Sequence, residues 1–166
     1  MKLTMIIDGN QLSVNSGSDV PLSRILLDNV ETFPANNACM EASCGNCVVM
    51  LNGTCVLSCL IPACKLNGAS ILTFEGFKKT RAYYDIEKAY NDNGIKPCKQ
   101  CYASKTLLIE SILQKLEKTK KKIEFAGEFI SCEISINKCR CIDSFQIEKI
   151  VKRAYMYRSR RSGRQI

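Results

Sequence analysis

The sequence predicts an α+β fold in which short strands and one helix come first and a helical unit follows. Two turn signals, Asp8-Gly9-Asn10 and Asn52-Gly53, each separate a pair of segments rich in strand-forming residues. After Gly76 the apolar residues change to helical spacing. Cysteines gather in two sets, one in each half of the chain.

The first half is predicted to contain two hairpins, one helix and a closing strand. "KLTMII" and "QLSV" flank the first turn, and "CVVMLNGTCVLSC" surrounds the second. Between the hairpins, "VPLSRILLDN" has its leucines and isoleucine at helical spacing, with Pro21 tolerated in the first turn. "SILTFEG" is predicted to be the closing strand.

The second half is predicted to contain about four helices. "RAYYDIEKAYNDNG" ends in the helix stop Asn93-Gly94, and Asp143 with Gln146 forms a capping box before "SFQIEKIVKRAY". "TLLIESILQKLEK" and "GEFISCEI" supply two more helices. We place the boundary in "FKKTRA", which gives an N-terminal unit of residues 1–78, a helical unit of residues 83–158 and a basic tail of residues 159–166.

The cysteine content argues against a disulfide-bonded scaffold. The chain has 11 cysteines and no histidine, and an odd number cannot pair completely. The apolar stretch that ends at Asp8-Gly9 is too short for a signal-peptide core, and no apolar run approaches the length of a membrane span. We therefore expect a cytoplasmic chain with reduced thiols.

The positive charge is weak evidence for any class of partner. The net charge is +8, and much of the excess lies in "KLEKTKKK" and "KRAYMYRSRRSGR". An oxidised 2Fe–2S centre together with its four thiolate ligands would carry a formal charge of about −2. The end of the chain is expected to be a solvated tail without a nucleic-acid role.

The first cysteine set has the spacing of plant-type 2Fe–2S proteins. Cys39, Cys44 and Cys47 form C-x4-C-x2-C, and Gly45 allows the backbone to approach a cluster closely. A fourth ligand must come from further along the chain, and Cys55, Cys59 and Cys64 compete for that place. Strand alternation puts Cys55 and Cys59 on one face, so the pattern does not choose between them.

The second cysteine set consists of two close pairs. Cys98 and Cys101 precede one predicted helix, and Cys139 and Cys141 precede another. Helix N-termini favour thiolates and the anionic clusters that they hold. Zinc is the alternative metal, but a C-x-C pair is awkward for a structural zinc site, so iron is favoured.

These residues resemble the iron–sulfur subunit of molybdenum hydroxylases, the xanthine dehydrogenase and aldehyde oxidase family. The resemblance extends from about residue 3 to residue 155. It is carried by "CMEASCGNC", "LNGTCVLSCLIPA", "LTFEGF", "IEKAYNDNGIKPCKQC" and "INKCRC", the last including Asn137 and Arg140. The resemblance implies that Cys59 is the fourth ligand of the first cluster.

The family implies a β-grasp ferredoxin-like domain followed by a four-helix bundle, each with one 2Fe–2S cluster. It also implies a hetero-oligomer with a large molybdopterin subunit, which oxidises the substrate, and an FAD subunit, which accepts electrons. The helical domain's cluster would lie nearer molybdenum and the other nearer the flavin. This chain would relay electrons as the part of an oxidoreductase that binds no substrate.

Several residues depart from the family pattern. Ala38 and Ala42 stand where glycine is usual, Pro97 replaces a glutamine that contacts the pterin, and Lys99 replaces a glycine. Three cysteines match no ligand position and are predicted to be buried free thiols: Cys55, Cys64 and Cys132.

Two other functions compete with the relay. A stand-alone ferredoxin-like carrier or redox sensor would explain the altered residues that face the pterin. A basic zinc-binding regulator of nucleic acid is disfavoured because zinc does not explain C-x4-C-x2-C. Within the molybdenum class, a purine such as xanthine is the first expectation for the substrate; aldehydes, nicotinate-like heterocycles and acyl-CoA thioesters remain open, since the partner chain selects it.

Overall fold

The computed structural model describes residues 1–31, 33, 39, 41–119 and 126–161. The strands are β1 (Lys2–Ile7), β2 (Asn10–Asn15), β3 (Val48–Leu51), β4 (Thr54–Leu57) and β5 (Ser70–Leu72). The α-helices of the described residues are α1 (Leu22–Asn29), α2 (Phe74–Phe77), α3 (Arg81–Asn93), α4 (Tyr102–Thr119), α5 (Ala126–Ile134) and α6 (Ser144–Arg161). The predicted α+β class is confirmed.

The five strands form one sheet in the order β2-β1-β5-β3-β4. Strands β1 and β5 are parallel, and the other neighbours are antiparallel. The two tight turns have successive residues at positive φ, 52° and 86° at Asp8 and Gly9, and 49° and 80° at Asn52 and Gly53. Turns with two successive residues at positive φ match the right-handed twist of the strands that they join. Both predicted hairpins are present.

Each face of the sheet is covered by different helices. On one face, β1 and α1 pack together through the buried residues Leu3, Met5, Leu22 and Leu26. On the other face, side chains from β3 pack with helices α3 to α6 in a single larger core. Alternation along β3 divides its residues between the two cores, with Val49 in the first and Val48 and Met50 in the second.

The helix ends follow the predicted signals. Gly94 ends α3 in the left-handed conformation, with φ of 63°. At the start of α6, the Asp143 carboxylate accepts from the Gln146 N–H at 2.7 Å, and the Gln146 side chain accepts from the Asp143 N–H at 3.0 Å. These bonds are the predicted capping box. Helix α4 begins directly after Cys101, and α6 begins close after Cys141.

Three local predictions are corrected. Pro21 precedes α1 as its extended N-cap residue and is not in the first turn. The closing strand stops at Leu72, because the Thr73 hydroxyl accepts from the Gly76 N–H and starts α2. Helix α6 continues to Arg161, past the start of the predicted tail, and residues 162–166 lie outside the described part of the chain.

No described helix is both long and apolar enough to cross a membrane.

Candidate metal centres

The structure brings the four cysteines of the second set together. The sulfur atoms of Cys98, Cys101, Cys139 and Cys141 all lie within 4.8 Å of one another. Cys101 is buried and the other three are partly exposed. The positions of α4 and α6 explain this meeting, since each pair ends close to the N-terminus of one of these packed helices.

The thiols of the second set perturb one another. Burial raises the pKa of Cys101, and its hydrogen bonds with the thiols of Cys139 and Cys98 raise it further. For Cys98, burial alone would raise the pKa, but the backbone and thiol of Cys101 and the other two thiols donate hydrogen bonds that lower it. Cysteines bind metals as thiolates, and of these four the Cys98 thiol has its pKa lowered, whereas burial raises the pKa of Cys101 and of Cys141.

In the first set, backbone N–H groups converge on the Cys39 sulfur. The N–H groups of Ser43 and Cys44 each donate to it at 3.3 Å, and that of Glu41 donates at 3.4 Å. Hydrogen bonds from Ser43, then from the Glu41 and Cys44 backbone, lower the pKa of Cys39 to about 6. The Cys44 sulfur also accepts hydrogen bonds from the N–H groups of Cys39 and Asn46, each at 3.3 Å. The loop therefore suits anionic sulfur.

Cys59 lies beside one cysteine of the first set, Cys47, and Cys55 does not. The sulfur atoms of Cys47 and Cys59 are 3.4 Å apart, and Cys59 lies in a 3-10 turn that follows β4. Burial raises the pKa of Cys59 to about 11. The Cys55 thiol instead donates to the carbonyl oxygen of Leu107 in α4, at 3.2 Å. The expectation that Cys55 and Cys59 share a face is wrong, because β4 ends at Leu57 and its alternation stops there.

Two small residues shape the first loop. Gly45 has φ of 75°, and a Cβ there would overlap the carbonyl oxygen of Ile136. Ala42 has φ of 58°, so the residue that replaces the family's glycine does adopt a left-handed conformation. Its backbone N–H donates to the Cys59 thiol, which lowers the pKa of that thiol against the larger effect of burial. Ala38 lies outside the described residues.

A buried polar network joins the two cysteine sets. Asn137 is 2% exposed, and its amide donates to the side-chain oxygen of Asn46 at 2.7 Å and to the hydroxyl of Ser104 at 3.0 Å. The side-chain oxygen of Asn137 accepts from the Cys139 N–H at 3.1 Å. Asn46 and Ser104 were missed in the sequence, and no local pattern there indicates this contact.

The three cysteines outside the two sets differ in exposure, although all three were predicted to be buried. Cys55 is half-buried, closer to the prediction than the other two, and desolvation raises the pKa of its thiol to about 12. The prediction of burial is wrong for Cys64 and Cys132, both of which are exposed. The turn around Cys64 buries the neighbouring Ala63 instead, and Cys132 lies on the solvent side of α5, away from the buried Glu133. Among the residues that depart from the family pattern, Pro97 is buried and Lys99 is exposed.

The donor set fits an iron–sulfur group. Sulfur is the shared ligand chemistry of both sets, and backbone N–H groups point at sulfur in the first loop. The absence of a Cβ at Gly45 lets the first loop lie directly against the backbone of Ile136 and Asn137, next to the second set. The second set, with four sulfurs so close, would also suit one tetrahedral ion.

The chain is similar along most of its length to iron–sulfur subunits of known dehydrogenases. It is 27% identical to a nicotinate dehydrogenase subunit of Pseudomonas putida over 92% of this chain and 93% of that protein. It is 29% identical to the xanthine dehydrogenase iron-sulfur-binding subunit of Escherichia coli O157:H7 over 81% of this chain and 82% of that protein. The resemblance to small iron–sulfur subunits of molybdenum hydroxylases is confirmed. No protein-family model matches the chain.

A solved structure shares the fold. The aldehyde oxidoreductase from Desulfovibrio desulfuricans ATCC 27774 matches 99% of this chain with a TM-score of 0.75 and 21% identity. This chain spans 17% of the length of that protein. The fold and its relatives fit an electron-transfer part of an oxidoreductase with an iron–sulfur cofactor.

Proposed function

We propose that the chain is the electron-transfer iron–sulfur subunit of a molybdenum hydroxylase. The observation that carries this proposal is the meeting of four cysteine sulfurs within 4.8 Å at the starts of α4 and α6, beside a second cysteine loop of 2Fe–2S spacing. When bound, a 2Fe–2S cluster takes up and releases one electron at a time. The chain's own cysteines would hold the clusters at the two positions.

The ligand assignment follows from the two sets. We assign the first cluster to Cys39, Cys44, Cys47 and Cys59. We assign the second to Cys98, Cys101, Cys139 and Cys141. The hydrogen bonds to the Cys39 and Cys44 sulfurs support the first assignment, and the close approach of all four sulfurs supports the second. Two clusters would occupy eight of the 11 cysteines.

The division into units is also part of the proposal. Residues 1–78 would form a β-grasp ferredoxin-like unit and residues 83–158 a four-helix bundle around the second cluster. The turn between the end of α2 at Phe77 and the start of α3 at Arg81 coincides with this boundary. The large core that β3 shares with the helices would keep the two units in one fixed arrangement.

The partners would be an FAD-binding subunit together with a molybdopterin-binding large subunit, in the cytoplasm. The names of the relatives include both nicotinate and xanthine dehydrogenases, so the fold of this chain is compatible with several substrates of a partner. Electrons would enter near the second set and leave near the first. The chain itself would bind no substrate.

Metal analysis of the purified chain tests the proposal. We expect about four irons and four acid-labile sulfides per chain and two distinct electron paramagnetic resonance signals after reduction. A colourless protein with stoichiometric zinc would overturn the assignment. So would one iron per chain without sulfide, since the second set would then hold a single ion.

The relay is tested in the assembled complex. Replacing Cys101 should leave the partner's molybdenum centre reducible by substrate in a single turnover while steady-state transfer to the final acceptor falls. Replacing Cys47 should allow the second cluster to be reduced and should stop electrons there. Gel filtration must show that both variant complexes remain assembled, because loss of a metal can unfold a small unit. Undiminished turnover in an assembled, cluster-deficient complex would exclude the relay.

A further inference from the structure

Lys105 is a buried cation that lacks a visible counter-charge. Its side chain is 2% exposed, and its Nζ has no hydrogen-bond partner within the described part of the chain. A desolvated ammonium without an anion strongly destabilises a protein interior. A nearby negative group is therefore needed to stabilise the charge of Lys105.

The buried carboxylates do not supply that group. Among the described residues the buried acidic side chains are those of Glu110 and Glu133. Glu110 is paired with Arg158, and Glu133 is paired with Lys115. Each of these carboxylates already has a cation, and neither is an ion-pair partner of Lys105 in the described structure.

The position of Lys105 points to the second cysteine set. The Lys105 N–H donates to the carbonyl oxygen of Cys101 at 2.8 Å, which places the lysine one helical turn after the cysteine. Side chains on a helix lean toward its N-terminus, over the preceding turn. From this rule we infer that the Lys105 stem lies over the turn that carries Cys101, at the end of α4 where the sulfurs of the second set meet.

We propose that the Lys105 ammonium is the counter-charge of the iron–sulfur group held by the second set and raises its reduction potential. This inference rests on the proposed function. Cysteines bind metal as thiolates, so a four-cysteine 2Fe–2S centre is formally about −2 when oxidised and gains one more negative charge on reduction. A nearby positive charge stabilises the more negative state and so favours reduction.

Burial makes Lys105 more effective than the other lysine of this region. Lys99 lies in sequence between Cys98 and Cys101, but it is exposed, so water and salt screen its charge. Lys105 acts through the protein interior, where screening is much weaker. The two lysines thus form a matched pair that differs in burial.

The test is a redox titration of the iron-loaded full-length chain, followed by electron paramagnetic resonance. In Lys105→Met, the equilibrium between reduced and oxidised second cluster should shift at least tenfold toward the oxidised form, which is about 59 mV for one electron. The first cluster should keep its potential. Lys99→Met should shift the second cluster by less than about threefold, and added salt should reduce that shift.

Each outcome decides a separate point. An unchanged potential of the second cluster in Lys105→Met overturns this inference and leaves the proposed function intact. A wild-type chain without a second iron–sulfur signal overturns the proposed function itself. If Lys105→Met cannot retain the second cluster, Lys105→Arg decides: restored loading supports the counter-charge, and continued loss shows a packing role and overturns it.

Discussion

The side-chain amide of Asn137 donates a hydrogen bond to the side-chain oxygen of Asn46 at 2.7 Å, across 91 positions of the sequence. Asn46 lies between two cysteines of the first set, and Asn137 lies two residues before the second pair of the other set. The same amide reaches the Gly45 carbonyl oxygen at 3.2 Å. One buried side chain therefore fixes the position of one cysteine loop relative to the other.

Replacing Asn137 should destabilise the chain. Asn137→Ala leaves several buried polar groups without their partner, and each such group costs about 1–3 kcal/mol. We expect the free energy of unfolding, measured with denaturant on the iron-loaded chain, to fall by at least about 2 kcal/mol. Ser135→Ala is the control, because that exposed hydroxyl contacts only a nearby helix carbonyl. Equal stability of the two variants would contradict the role assigned to Asn137.

Gly45 should not tolerate a side chain. Gly45→Ala combines a left-handed φ with a clash against the backbone of Ile136 and Asn137, so the first loop must move away. The matched control is Gly53→Ala, where φ is 80° but nothing lies near the added Cβ. Gly53→Ala should cost about 1 kcal/mol, and Gly45→Ala should cost clearly more and reduce iron content. Equal thermal shifts would show that the contact with Ile136 is unimportant.

Cys59 and Cys55 should differ in their effect on iron. Cys59→Ser should remove the first cluster, since its sulfur lies beside that of Cys47. Cys55→Ser should leave iron content unchanged, because its thiol contacts Leu107. Iron and sulfide assays on both variants check this, with Cys64→Ser and Cys132→Ser as exposed controls. Iron loss from Cys55→Ser with retention in Cys59→Ser would reverse the assignment.

Thiol reactivity should follow the perturbed pKa values. In the iron-free chain the pKa of Cys39 is about 6 and that of Cys59 is about 11. Because the thiolate is the nucleophile, alkylation of Cys39 should already be near its plateau at pH 7. Alkylation of Cys59 should continue to rise as the pH approaches 11. Mass spectrometry of peptides alkylated between about pH 5 and about pH 10 locates the midpoint for Cys39 and shows whether alkylation of Cys59 is still rising at the upper end of that range. A Cys39 profile that is centred on the ordinary thiol pKa would refute the hydrogen-bonded loop.

Replacing Arg158 should destabilise the helical part more than replacing a surface arginine. Its guanidinium pairs with the buried Glu110 and lies near Asp85 and Glu117. Arg158→Met leaves Glu110 buried without that partner and should cost about 3–5 kcal/mol of unfolding free energy. Arg153→Met is the surface control and should cost less than about 1 kcal/mol, since Arg153 pairs with Asp92 in contact with water. Similar losses in the two variants would contradict this difference.

The sequence predicts local structure here better than it predicts long-range contacts. The hairpins at Asp8-Gly9 and Asn52-Gly53 and the stop at Gly94 were predictable because each depends on a residue that tolerates positive φ. The capping box at Asp143 was predictable for a similar reason, since its partners are three residues apart.

Contacts between distant segments could not be predicted, because no local sequence pattern indicates them. The bond between Asn137 and Asn46 joins segments 91 positions apart, and the burial of Lys105 depends on how α4 packs in the fold. The cysteine spacing named three candidates for the fourth ligand, but only the turn after β4 separates Cys59 from Cys55. Exposure of Cys64 and Cys132 likewise depends on which neighbour faces the core.

The shared core has a consequence for biosynthesis. Val48 and Met50 of β3 are covered by helices that are translated later, and Cys55 and Leu57 of β4 pack against the same core. A nascent chain that ends near residue 78 would present this sheet face, and the edge strand β4, to solvent. Such a surface is prone to aggregation. The first half is therefore expected to need a chaperone, or rapid completion of the helices, before it can accept iron, and a recombinant fragment of residues 1–78 should be poorly soluble.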